Sequence, residues 1–216
     1  MKIQFLFICF AFLFASCTKE HLTANGDIVN ETRQPGNFTE IRSSGANNIH
    51  INYGTTFKVE VRGSSNLVSR YRTRVYNNTL ELGYESASIR HDDVEVFITM
   101  PRISGVSLSG SGDVDMRGPF QNTDFFKMRI SGSAKAIVYD EFDASSLDVN
   151  ISGSGDADLE PIISDRADVA ISGSGDTHLT ALQLLDVTIS GSGKVYYSGN
   201  PVVKTRISGS GQVIKN

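Results

Sequence analysis

A chain of 216 residues with a net charge of -4 lacks the basic balance of a nucleic-acid binder, and its 39% apolar content is too high for a disordered polymer. Twenty glycines, no tryptophan and only two cysteines rule out a disulfide-stapled domain and fit a turn-rich repeat better than a helical enzyme. No long stretch keeps a helical period, so the chain reads as all-β.

The first segment is an address. Met1-Lys2 supplies a positive start and Ile3 to Phe14 is apolar apart from Gln4. That run is too short to span a bilayer but suits a secretory signal over residues 1–16. It ends in Leu13-Phe14-Ala15-Ser16-Cys17, which resembles the lipobox of bacterial lipoproteins, with Phe14 where leucine is usual. Cys9 lies inside the segment to be removed, so Cys17 is alone in the exported chain and has no disulfide partner. The expectation is lipidation at Cys17, and a cell-envelope protein tied to a membrane by its N-terminus. Residues 17–36 read as lipidated cysteine plus flexible tether, with room for a short strand at 27–32. Such a tether reaches roughly 25 Å root-mean-square.

Residues 37–216 form the folded body. In 37–102 the apolar residues alternate: Ile49 and Ile51, Val59 and Val61, Leu80 and Leu82, Val94, Val96 and Ile98. Asn77-Asn78 is a hairpin turn pair. Residues 103–216 repeat one sentence six times. Ser-Gly-Ser-Gly or a near copy starts at Ser109, Ser131, Ser152, Ser172, Ser190 and Ser208, at spacings of 22, 21, 20, 18 and 18. A period near 20 with the same turn means stacked coils. The residue before each turn is Leu108, Ile130, Ile151, Ile171, Ile189 or Ile207, a column able to point inward. The expected fold is a right-handed parallel β-helix of short coils, the handedness following from the general crossover preference. The N-terminal strands join or cap the same solenoid, because an open end exposes apolar rungs and pairing edges.

Gly26-Asp27-Ile28-Val29, Phe38-Thr39-Glu40-Ile41, Ser44-Gly45-Ala46 with Ile49-His50-Ile51, and the Ser-Gly-Ser-Gly-Asp-Val run from Ser109 together resemble the head GIN domain family of auto-transporter-type adhesins. The resemblance spans about residues 26–216. It implies β-helix-like folding and a cell-surface or periplasmic location, and it brings no catalytic residues.

Candidate sites are sparse. The residue after each turn is Asp113, Lys135, Asp156, Asp176, Lys194 or Gln212, one exposed column of mixed charge. Its structural reading is a solvated ladder; its functional reading is a cation or glycan contact through Asp156, Asp158 and Asp176. Tyr196 and Tyr197 are adjacent in one coil, so one of them points outward and could meet a sugar or a partner. Phe125-Phe126 and the Arg70, Arg72, Arg74 stripe have the same ambiguity. A carbohydrate-active enzyme would need two carboxylates about 5–9.5 Å apart. The four histidines show no metal-ligand spacing, and the hydrolase elbow and phosphate loop are absent. The expectation is a non-catalytic envelope lipoprotein, an adhesin or binding scaffold with a glycan or protein ligand and no cofactor or metal. A β-helix enzyme, or a lipid- or protein-binding part of an envelope complex, is the alternative.

Overall fold

The computed structural model describes residues 20–85 and 87–216. Its strands in chain order are β1 (Glu20–Thr23), β2 (Ile28–Arg33), β3 (Glu40–Gly45), β4 (Asn48–Tyr53) and β5 (Lys58–Ser64). The single-turn helix α1 (Ser65–Val68) precedes β6 (Tyr71–Tyr76), β7 (Thr79–Tyr84), β8 (Ala87–Arg90) and β9 (Glu95–Met100). The coils follow as β10 (Gly105–Gly110), β11 (Val114–Arg117), β12 (Thr123–Gly132), β13 (Lys135–Val138) and β14 (Phe142–Gly153). Then come β15 (Asp156–Gly173), β16 (Thr177–Gly191), β17 (Lys194–Ser198), β18 (Val202–Gly209) and β19 (Gln212–Lys215).

The architecture is a parallel β-solenoid of coils stacked in register. On one face the neighbours run β6, β7, β3, β10, β12, β14, β15, β16, β18; on the other they run β2, β5, β9, β4, β11, β13, β15, β16, β17, β19. Spatial order departs from chain order at one place. β3 and β4 sit between β7/β9 on one side and β10/β11 on the other. The chain therefore lays down its second coil first, builds outward to the end, and returns to continue the stack.

The apolar column forms as its spacing predicts. Leu108, Ile130, Ile151, Ile171 and Ile189 are partners on successive strands and all are buried. Burial of each contributes roughly 1.5–3 kcal/mol. The glycine before the second serine forms a neighbouring column: Gly110, Gly132, Gly153, Gly173, Gly191 and Gly209, each with φ between +118° and +134°. There the second serine's backbone N–H donates to the glycine carbonyl of the coil before, as from Ser133 to Gly110, Ser154 to Gly132 and Ser174 to Gly153, each at 2.9 Å. The turn is thus held by main chain, which explains its tolerance of varied flanking residues.

A seventh turn belongs to the column. Ser44-Gly45 is in register with Ser109-Gly110, and Ser111 N–H donates to Gly45 O at 3.0 Å. Six copies is therefore an undercount; Ala46-Asn47 replaces the second Ser-Gly and hides the match in the sequence.

The flexible tether expected over 17–36 is corrected by the structure for its described part. β1 pairs with β8 in parallel, and β2 pairs with β5 in antiparallel register from Ile28–Ser64 to Arg33–Val59. Asn66 Nδ2 donates to Thr23 O at 2.8 Å, Gly26 N–H donates to Ser64 Oγ at 2.9 Å, and Ser65 N–H donates to Asp27 O at 2.8 Å. These pairings need partners 26 or more residues away, so the local sequence gives no hint of them. Residues 1–19, including the expected signal and Cys17, lie outside the described residues.

The N-terminal strands both join and cap the stack. β3, β4, β7 and β9 continue the parallel coils, while β5, β2 and β6 run antiparallel across the end. Leu67 and Val68 of α1 plug the core. Arg33 fastens this lid, donating to Val68 O at 2.7 Å and Tyr71 O at 2.5 Å. At the opposite end no described strand pairs beyond β18 and β19, and Val202 and Ile207 are 66% and 44% exposed.

Candidate functional site

The exposed column after the turns has a definite job in the backbone. Asp113 Oδ1 accepts from Lys135 N–H at 2.8 Å, Asp156 Oδ1 from Asp176 N–H at 2.9 Å, and Asp176 Oδ1 from Lys194 N–H at 2.7 Å. Asn48 does the same for Asp113 N–H at 3.2 Å. Lysine cannot accept, so above Lys135 and Lys194 the next N–H turns to a carbonyl instead: Asp156 N–H to Ala134 O at 3.1 Å, and Gln212 N–H to Gly193 O at 3.2 Å. Each carboxylate thereby satisfies a corner amide of the following coil. Asp158 sits one pleat further, beside His178 in register, with Oδ1 3.5 Å from Glu160 N. Replacing Asp156 with Ala should lower stability by about 0.5–1.5 kcal/mol, while Asp156→Asn, which keeps the acceptor, should be near neutral. Denaturant midpoints and amide exchange at residue 176 check this.

Tyr196 and Tyr197 separate as alternation requires. Tyr197 packs against the core, and Tyr196 lies on the outer face with its ring stacked on His178 at 4.5 Å and 13°. Strand register sets Ile214 on the other side of Tyr196. One ring face is thus taken by His178, leaving less of it for a flat sugar contact. Phe126 is buried, and Phe125 is partly exposed beside the Lys127 ammonium.

Two constellations were not singled out from sequence. His50 Nδ1 lies 2.5 Å from Asp115 Oδ2, its ring stacks on Phe97 at 4.8 Å, and Arg117 bonds Asp115 while covering Tyr139 at 3.7 Å. This grouping joins β9, β4 and β11, whose adjacency reverses chain order, so spacing alone could not reveal it. The second is a stripe of Asp148, Asp168 and Asp186 on three successive strands, with Lys127 and Lys204 at its ends. Arg129 and Arg206 flank it, at 3.8 Å from Asp148 and 2.7 Å from Asp186. All five residues stand four before their turn serine, so the repeat alignment carries this signal.

The cap has a polar interior. Burial, reinforced by the Asp92 carboxylate, pushes the Tyr71 hydroxyl well above its usual range. Tyr84, which donates to Asp92 at 2.8 Å, is raised by burial and by that bond. Burial acts to raise Asp93 as well, but hydrogen bonds from Ser64 Oγ and N–H, at 2.6 and 2.9 Å, hold its carboxyl below the ordinary value.

The molecular surface offers shallow grooves of about 220–350 Å³. One is lined by Asp148, Asp168 and Asp186, another by Asp92, Asp93 and Glu95; neither has an aromatic wall. Among the described residues no three His, Cys, Asp or Glu side chains gather as a metal-binding group.

Against this geometry the comparisons are decisive for the family. The profile of the head GIN domain, described as a putative auto-transporter adhesin, matches residues 37–160 and 141–201. The chain belongs to the head GIN domain family. Among solved structures, one described as a putative adhesin from Bacteroides fragilis superposes with a TM-score of 0.71 at 20% identity, covering 90% of this chain and 100% of that one. A second, from Parabacteroides merdae, gives 0.63 at 20% identity over 91% and 99%. A third, described as a putative lipid binding protein from Parabacteroides distasonis, gives 0.53 at 17% identity over 91% and 100%. No curated protein matches the sequence. At these identities the neighbours establish the fold alone.

Proposed function

We propose that this head GIN protein is a non-catalytic binding module of the cell envelope, exported and held to a membrane by lipid on Cys17, with its solenoid acting as an adhesive or scaffolding surface. The family match over most of the body carries the adhesin reading. The stack supports it: the carboxylates of Asp156 and Asp176 are engaged by main-chain amides, and the acidic stripe is laced by arginines. What remains is a long, regular, charged surface suited to a broad contact.

The lipid anchor rests on the apolar leader and on the small residues before Cys17. In cells expressing the full chain, the protein should fractionate with membranes, and Cys17→Ser should shift it to the soluble fraction. Cells displaying the chain should bind members of a glycan and matrix-protein array without releasing cleaved product. Product release from a bound glycan would overturn the non-catalytic reading, and membrane retention of Cys17→Ser would overturn the anchor.

A further inference from the structure

The route of the chain into the cap limits how far the body can stand from its anchor. Only Thr18 and Lys19 separate Cys17 from Glu20, the first residue of β1. Three residues of extended chain reach at most roughly 11 Å. From Glu20 onward there is no slack: β1 is in register with β8 over four pairs, Ala24 N–H donates to Arg90 O, and Asn25 is tied to Ser65 and Asn66 of α1. Leu22 and Ile89 pack against the core from this ribbon. The attachment point is thus fixed to the capped end. The open rung of β18 lies seven strand spacings beyond β7, roughly 34 Å away.

The cap also carries apolar surface where the attachment point is. β2 is an edge strand exposed along nearly its whole length, and Ile28 and Val29 are 52% and 36% exposed. They begin two residues after Gly26, itself pinned to Ser64 beside α1. Arg62, opposite Asn30 of β2, and Arg90, opposite Thr23 of β1, are exposed on the same end. Ile28 shares its groove with Arg62 and with Asp92, Asp93 and Glu95, so it is the exposed aliphatic side chains, not a basic charge, that match the boundary between phospholipid headgroups and acyl chains.

We infer that the capped end, with edge strand β2 and its Ile28 and Val29, is a membrane-contact surface seated on phospholipid headgroups, so that the open rung faces away from the bilayer. This rests on the Cys17 anchor proposed above, because the lipid brings the cap within reach of the membrane and the short leash keeps it there. The partner is the bilayer surface, not a solvated lipid held in a pocket.

Lipidated full-length chain, purified from membranes and reconstituted into phosphatidylethanolamine–phosphatidylglycerol vesicles with a headgroup-attached quencher, provides the test. Acylation consumes the Cys17 thiol, so Ile28→Cys or Val202→Cys each supplies a single labelling site for a fluorophore. Both positions are exposed, and hydrogen exchange of the unlabelled chain with and without vesicles gives a second reading free of substitution. The expected result is loss of most fluorescence at position 28, little loss at position 202, and slowed exchange in β2 alone. Protein that floats with the vesicles yet is quenched equally at both sites, with unchanged exchange in β2, overturns the docking and leaves the anchor intact. Protein that does not float overturns the anchor, and the docking falls with it.

Discussion

Gly173→Ala should cost the solenoid at least about 3 kcal/mol. Gly173 has φ +133°, which a residue with a Cβ adopts only at about 1–3 kcal/mol. The added methyl would also be driven into the carbonyl of Gly153 on the preceding coil. That carbonyl cannot retreat freely, because it accepts the Ser174 N–H at 2.9 Å. Relief requires two coils to part locally, which breaks the main-chain ladder on both sides. For a chain of this size the loss corresponds to a fall in Tm of roughly 10 °C. Ser172→Ala, one residue away and exposed, should change stability by less than about 0.5 kcal/mol. Thermal melts followed by circular dichroism compare the two; similar melting of both variants would show that the turn does not need its glycine.

Ile151→Ala should destabilise by about 2–5 kcal/mol, whereas Ile207→Ala, at the same place in its repeat, should cost less than about 1 kcal/mol. Ile151 is fully buried between Ile130 and Ile171, while Ile207 closes the last rung and is 44% exposed. The isoleucine adds to what requires the second glycine of most turns, where a Cβ would also run into the main-chain carbonyl of the preceding coil. A Cβ on Gly175 would fall 2.8 Å from Ile151 Cγ2, and one on Gly193 the same distance from Ile171 Cγ2. The branched methyl of one coil fills the space that glycine leaves in the next, so the two columns interlock. Urea denaturation of both variants reads the difference; equal losses would mean that the terminal rung is as firmly packed as the middle of the stack.

Much of this fold is legible in the sequence because every coil reuses one local solution. The period of 18–22 residues aligns Ile151, Ile171 and Ile189, and the alternation around them sets which side chains turn inward. Legibility ends where pairing is long-range or where a repeat is degenerate. β1 is only four residues long, β2 is exposed on both faces and shows no alternation in burial, and their partners β8 and β5 are remote. Ser44-Gly45 is a true member of the turn column, yet Asn47 stands where a glycine marks most other coils. The candidate residues were found as a column, but the roles of Asp156 and Asp176 depend on which amide lies opposite, and only register supplies that. His50 and Asp115 meet because β4 and β11 adjoin, an adjacency the order of segments conceals.

The unequal ends of the stack set how the protein can change size. The lid is a bespoke assembly of antiparallel strands, whereas the last rung keeps the register and the Ile-Ser-Gly turn of its neighbour and sets Thr205 opposite Val187 and Lys215 opposite Tyr197. Those polar replacements, with Lys204 and Arg206 along the edge, discourage further strands from adding. A duplicated segment of about 20 residues inserted among the middle coils would find its amides, carbonyls and aliphatic sockets already provided above and below, and would extend the rod by about 4.8 Å. Reach is therefore a modular quantity here, adjustable by gene duplication one storey at a time without redesigning either terminus.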